Sequence, residues 1–245
     1  MVFQEKLLLG PMVFAIISLI VNISWDLAKV NNLSSIEMCA GAGGQALDLE
    51  MAGFEHECLV EIDKHSCNTL RMNRPKWNIV EGDLAEFDGR PYKGIDLLAG
   101  GLPCPPFSVA GKQLGTKDDR NLFPEAIRLV DEIRAKAVMI ENVRGLLGTA
   151  FDDYRLFISG ELNKLGYVTH WRLFNAADYG VSQLRPRLIF VAIKKELSGQ
   201  FSWPLRKNDD PSTVGEALYD LMAANGWKEA KAWKKQAINS PQLYS

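Results

Sequence analysis

The apolar positions of this chain of 245 residues fall into short runs separated by stretches of helical spacing. Runs near 36–39, 58–62, 95–99, 137–140 and 188–193 predict strands, and one near 167–174 predicts an edge strand. Apolar residues recur every three or four positions over 44–53, 64–73, 122–134 and 152–165, which predicts helices with one buried face. Regular alternation of this kind implies an α/β fold: a mainly parallel, doubly wound sheet with helices on both faces. In such sheets ligands bind in the crevice at the carboxyl ends of the strands. Gly41, Glu61, Asp83, Cys104 and Glu141 each follow an apolar run, so they are the first candidates for a site.

The two ends of the chain depart from this pattern. Leu7 to Trp25 carries no charge and contains Gly10 and Pro11. About twenty apolar residues can span a bilayer, but the basic flank and the small-residue cleavage site of a secretory signal are missing. A helix packed on the domain, or an upstream start codon, is preferred to a membrane anchor. The expected division is an apolar extension over 1–33, a main domain over 34–205 and a tail over 206–245. The tail contains an amphipathic helix around 213–224 and a basic patch at Lys228, Lys231, Lys234 and Lys235. The formal net charge of −2 argues against a wholly basic nucleic-acid coat and leaves room for a local basic face. Cys39, Cys58, Cys67 and Cys104 lack metal-ligand spacing, and with three histidines no metal site is expected. Reduced thiols in the cytoplasm are the economical reading.

Five segments carry candidate chemistry. In Ile36-Glu37-Met38-Cys39-Ala40-Gly41-Ala42-Gly43-Gly44-Gln45, a strand runs into a glycine-rich turn and then a helix start, which offers backbone N–H groups to a ligand. Val60-Glu61-Ile62-Asp63 closes the next strand with an acid, about twenty residues on, placed for ribose hydroxyls. That pair of features fits nicotinamide, flavin or S-adenosylmethionine, although the third glycine is off the dinucleotide spacing. Gly100-Gly101-Leu102-Pro103-Cys104-Pro105-Pro106-Phe107-Ser108 sets a thiol between prolines in a stiff loop. Cys104 there is either an aimed nucleophile or a small buried hydrophobe. Ala137 to Val143 ends a strand in Glu141-Asn142. A carboxylate in that crevice can hold a proton near neutral pH, or serve as a cap or salt-bridge partner. Gln183-Leu184-Arg185-Pro186-Arg187 leads into the last strand, with two arginines one residue apart on the same side. They form a cationic patch or an ordinary solvated pair. The polar stretch 111–121 reads as a mobile lid or a surface loop.

Taken in this order, the Pro-Cys loop, the Glu-Asn-Val strand end and the Gln-x-Arg-x-Arg element resemble the DNA cytosine-5 methyltransferase family over roughly residues 35–205. The resemblance implies a Rossmann-like, S-adenosylmethionine-dependent methyltransferase domain. It implies methyl transfer to carbon 5 of cytosine in double-stranded DNA, with Cys104 as covalent nucleophile. Glu141 would place a proton at the N3 edge of the base, and Arg185 and Arg187 would hold its carbonyl oxygen. Ala40, Gly41, Ala42, Gly43 and Gly44 would wrap the methionine part of the cofactor. Glu61, with Ile62 beside it, would take the ribose, while Asp83 and Leu84 would meet the adenine. Pro103, Ser108, Asn142, Val143 and Gln183 would line the substrate side. Cys39 stands where the family has an aromatic residue against the adenine, and Pro105 where glutamine is commoner.

The expected role is a truncated form or catalytic subunit of a restriction-modification or orphan enzyme. A second polypeptide would then supply the recognition region and the final motif, which are not found here. The rivals are an inactive remnant that binds cofactor or a partner, a tRNA cytosine-5 methyltransferase and a nicotinamide-dependent oxidoreductase. The last is disfavoured by the glycine spacing and by the Pro-Cys loop.

Overall fold

A computed structural model describes residues 33–103, 121–206 and 213–239. The extension before residue 33, the cysteine loop from Cys104 through Ser108 and the 111–121 stretch up to residue 120 lie outside the described residues. Seven strands form one sheet: β1 (Leu33–Met38), β2 (Phe54–Glu61), β3 (Ile79–Glu81), β4 (Leu97–Gly101), β5 (Ala137–Val143), β6 (Tyr167–Asn175) and β7 (Pro186–Lys194). Their spatial order is β3-β2-β1-β4-β5-β7-β6. The first five are parallel, and β7 runs antiparallel between β5 and β6. The mainly parallel sheet and the edge position of β6 follow the apolar pattern. The three-residue β3 does not, because it is too short to show a period. β5 extends through Val143, so Glu141 and Asn142 sit inside the strand rather than after it.

The helices are α1 (Gly44–Met51), α2 (Lys64–Asn73), α3 (Phe123–Ile133), α4 (Asp152–Lys164), α5 (Val214–Ala224) and α6 (Ala230–Asn239). Local chemistry sets their ends. The Asp63 carboxylate accepts from the Ser66 N–H and starts α2. Pro124 sits in the first turn of α3, where its missing N–H costs nothing. Thr213 and Glu216 form a reciprocal capping box at α5. Helix α6 is not visible as an apolar period. Among the described residues no helix is long and apolar enough to cross a membrane.

Strand alternation divides the core between the two faces of the sheet. On one face Ile36, Met38, Leu98, Val138, Ile140 and Phe190 pack against Leu129 and Ile133 of α3 and Ile158 of α4. On the other face Leu97, Ala99, Met139, Ile189 and Val191 pack against Leu49 of α1, Phe174 and Tyr179. Each fully buried aliphatic side chain contributes about 1.5–3 kcal/mol. The second face also carries polar residues at the same parity: Ser35 and Glu37 on β1 and Glu141 on β5. That row of polar positions in an apolar surface marks the site.

Candidate active site

The cleft opens at the carboxyl ends of β1, β4 and β5. Its lining comprises Glu37, Cys39 and Ala40 from the end of β1, and Gly44 and Gln45 from the start of α1. Gly101 of β4, Glu141 of β5 and Arg185 before β7 complete it. The register explains the convergence. Gly101 lies beside Glu141, and Glu37 lies beside Ala99 two positions earlier on β4. Period two therefore turns Glu37, Gly101 and Glu141 to the same face. A methyl group added at Gly101 would come within 3.7 Å of Glu141 Oε2 and 3.9 Å of Gln45 Oε1, so bare backbone keeps that floor open.

The glycine turn has two distinct requirements. Gly41 (φ +55°) donates its N–H to Glu61 Oε2 at 2.6 Å, and Asp63 N–H donates to the other oxygen at 2.8 Å. The Glu61 carboxylate is thereby locked at the end of β2, with lone pairs left over for a ligand. Gly43 (φ +90°) has no room for a side chain, since a Cβ would stand 2.6 Å from Leu70 Cδ2. Helix packing and the left-handed backbone therefore both require glycine here. Cys39 takes a left-handed φ of +52° without being glycine, and burial beside Glu61 and Glu37 pushes its thiol up to about 12. It is a neutral lining residue. Ala42 is exposed and Ile62 is 66 % exposed. Asp83 is exposed too, and its Oδ1 accepts from Ala85 N–H in a local turn. Leu84 is 4 % exposed and packs in the core with Ile36 and Met38, so its side chain offers little face to an adenine.

Glu141 and the two arginines come together. Arg187 Nε lies 2.5 Å from Glu141 Oε1, and both side chains are largely shielded. Arg185 is held by its backbone, donating its N–H to Asn175 Oδ1 at 2.9 Å and accepting from Ala176 N–H at 3.1 Å. Burial raises the Glu141 pKa, and Arg187 and Arg185 pull it back only in part. A carboxyl in that balance can carry a proton and pass it on. The arginines are therefore part of the site and not a solvated surface pair.

Asn142 departs from the expectation of substrate contact. It is 1 % exposed, and its amide donates to the Leu102 carbonyl at 3.4 Å. Strand alternation turns it away from Glu141, and it anchors the chain entering the cysteine loop. Val143 is half-buried against the core of that same face, Pro103 is half-buried, and Gln183 is exposed on the turn before Arg185. Cys104 and Ser108 lie outside the described residues. Sequence reasoning assigned no role to Glu37 or Gln45. The signal for Glu37 was present: an acid in the middle of an apolar strand is costly unless something uses it. Among the described residues, no group of three or more His, Cys, Asp and Glu side chains is arranged to hold a metal.

The fold and the cleft define a Rossmann-like methyltransferase domain. The family model of the C-5 cytosine-specific DNA methylases matches residues 33–244, and the chain belongs to that family. It is 59% identical over 204 residues to the Type II methyltransferase M.NgoMIV of Neisseria gonorrhoeae, covering 83% of this chain and 65% of that protein. It is 48% identical over 211 residues to M.NaeI of Lentzea aerocolonigenes, covering 85% of this chain and 51% of that one. The chain thus spans between about half and two thirds of the length of these relatives. Among solved structures it is similar to a prophage-encoded E. coli protein assigned as a DNA modification methyltransferase. The TM-score there is 0.66 at 30% identity, over 76% of this chain and 54% of that one. Spodoptera frugiperda DNMT2 shares the fold, with TM-score 0.56 at 24% identity over 74% of this chain and 54% of that one.

Proposed function

We propose that this chain carries the catalytic and cofactor-binding part of an enzyme that methylates carbon 5 of cytosine in DNA, the reaction that the description of its family names. The observation that carries the reading is the half-buried Glu141–Arg187 pair, with Glu141 lining the cleft that the glycine turn opens. The donor groups fit S-adenosylmethionine. Glu61 presents a fixed carboxylate for a diol, Ile62 an exposed apolar side chain for a flat ring, and Glu37 a buried acceptor for a cation. When bound, that cofactor supplies an electrophilic methyl group.

The chain's own residues would do the rest. The Cys104 thiolate adds to carbon 6 of an extruded cytosine, and the ring becomes nucleophilic at carbon 5. Glu141 delivers a proton to N3, so the electrons displaced by attack do not build up as unscreened charge. Arg187 and Arg185 hold the base carbonyl oxygen and keep Glu141 from being fully neutralised by burial. Asn142 holds the Leu102 carbonyl just past the end of β4. Residues 34–205 would form the catalytic domain, with 206–245 opening a recognition region.

Duplex DNA carrying 5-fluorocytosine tests the central step, because fluorine cannot leave carbon 5 as a proton. With cofactor present, a denaturation-resistant adduct should form with wild type and not with Cys104→Ser. An adduct that survives Cys104→Ser and vanishes with Cys39→Ser would overturn the assignment. Equal labelling of transfer RNA and no labelling of DNA would overturn the substrate.

A further inference from the structure

Outside the cleft, α3 grips the loop that leaves β3. Arg128 of α3 is half-buried, and each of its five guanidinium donors has an acceptor. Nε donates to Glu125 Oε2 at 2.7 Å, and Nη1 donates to Glu132 Oε1 at 2.8 Å and to the Phe87 carbonyl at 3.1 Å. Nη2 donates to the Leu84 carbonyl at 2.9 Å and to the Ala85 carbonyl at 3.4 Å. The two carboxylates come from neighbouring turns of the same helix and balance the charge. No donor is left for a ligand, so whatever Arg128 does it does through the loop. The far end of that loop is held as well. Gly89 N–H donates to Glu132 Oε2 at 2.9 Å, and a Cβ on Gly89 would stand 2.7 Å from Ile133 Cγ1.

The clamped loop carries Asp83. Its Oδ1 accepts from Ala85 N–H at 2.9 Å, while the Ala85 carbonyl is held by Arg128. Oδ2 has no partner among the described residues. Glu81 pairs with Glu61 across β3 and β2, so Asp83 stands just beyond Glu61 at the carboxyl edge of the sheet. Its charge reaches the Cys39 thiol in the cleft lining. In the strand order, β3 lies on the side of β2 away from β4 and the Pro-Cys segment. A nucleoside whose ribose rests on Glu61, with its reactive end toward β4, therefore extends its base toward Asp83. Resting on the cofactor reading above, we propose that Arg128 is a positioning residue for recognition of that base. By fixing the turn through Ala85, it aims the Asp83 carboxylate at an N–H donor on the ring. Arginine suits this task because a planar fork can hold three backbone carbonyls at once. The compact ammonium of lysine cannot reproduce that geometry.

The test is calorimetric titration of the full chain with S-adenosylhomocysteine and with S-inosylhomocysteine, whose ring carries a carbonyl oxygen in place of the amino group. Wild type should prefer the first ligand by roughly 10-fold or more, the range for a hydrogen bond to a charged group. Asp83→Ala should abolish that preference. Arg128→Lys should remove most of it, and adding Arg128→Lys to Asp83→Ala should change it no further, as expected of two residues acting through one contact. A residue that only supports the fold would weaken both ligands alike and leave the preference intact. Glu132→Ala frees Gly89 and leaves the guanidinium in place, so its preference should be intermediate. If Arg128→Lys does not unfold cooperatively, Glu132→Ala decides, and a full preference there overturns the inference. Full preference in Arg128→Lys, with none in Asp83→Ala, overturns the role of Arg128 and leaves that of Asp83. Full preference in Asp83→Ala, or none in wild type, overturns both roles and leaves the cofactor reading standing. Wild type binding neither ligand brings down the cofactor reading itself, and this inference with it.

Discussion

Replacing Asp48 with asparagine should remove a fall in stability with rising pH. Asp48 lies on α1 facing the sheet, 3 % exposed, with Oδ2 unpartnered. Burial raises its pKa from an ordinary 3.8 to about 7. Between those two values the folded protein holds a proton that the unfolded chain does not. Stability therefore falls as pH rises through that window and levels off above it. A shift of about three units corresponds to about 4 kcal/mol at 1.36 kcal/mol per unit, and to about 2 kcal/mol if relaxation and water access halve it. Either figure is a large part of the 5–15 kcal/mol that holds a domain of ordinary stability. Asparagine is close to isosteric with aspartic acid and has no proton to lose. Urea unfolding followed by tryptophan fluorescence measures the effect at about pH 4.5, 6 and 8. The difference, wild type minus variant, should drop by roughly 2–4 kcal/mol across that range, leaving the variant the more stable at the top. Taking the difference removes most of the parallel contribution of Glu37, whose pKa is also raised by burial. Parallel stability curves for the two proteins would refute the claim that Asp48 is buried in its protonated form.

Three further outcomes are expected. Glu141→Gln should lower methyl transfer by about 10²-fold or more while S-adenosylhomocysteine affinity stays constant. Because burial raises the Glu141 pKa, the wild-type rate should decline as pH rises through it, whereas the variant's profile should be flat there; a variant within twofold of wild type removes the proton-transfer role. Gly43→Ala combines a φ of +90° with a Cβ 2.6 Å from Leu70 and should cost roughly 2–4 kcal/mol in thermal unfolding. Gly44→Ala, with no atom within 4 Å of the new Cβ, should change stability by less than about 0.5 kcal/mol, and equal effects of the two would contradict the packing argument. Asn142→Ala should cost about 1 kcal/mol of stability and lower kcat with S-adenosylhomocysteine affinity preserved, whereas a loss confined to DNA affinity would return Asn142 to the substrate surface.

The alternation of strands and helices was legible because buried parallel strands are continuous apolar runs, such as Val138 to Ile140 and Leu188 to Ile193. The candidate residues were legible where chemistry leaves a mark in local sequence: a glycine turn, a cysteine between prolines, an acid closing a strand. Spacing along the chain was silent on which of these meet. Glu141 and Arg187 are far apart in sequence and 2.5 Å apart in the sheet, because β7 inserts antiparallel beside β5. The same limit hid the reason for Gly43, whose neighbour Leu70 belongs to a different helix. It also sent Asn142 to the substrate, although strand parity turns it inward beneath Leu102. Glu37 shows the boundary most sharply. Its presence in an apolar strand is a fact of the sequence, but its meaning depends on what faces it. Burial, the nearby carboxylates of Asp48 and Glu61, and an open cleft are properties of packed elements. Local sequence specifies backbone preference and side-chain chemistry, while desolvation and through-space charge arise only when distant segments exclude water together.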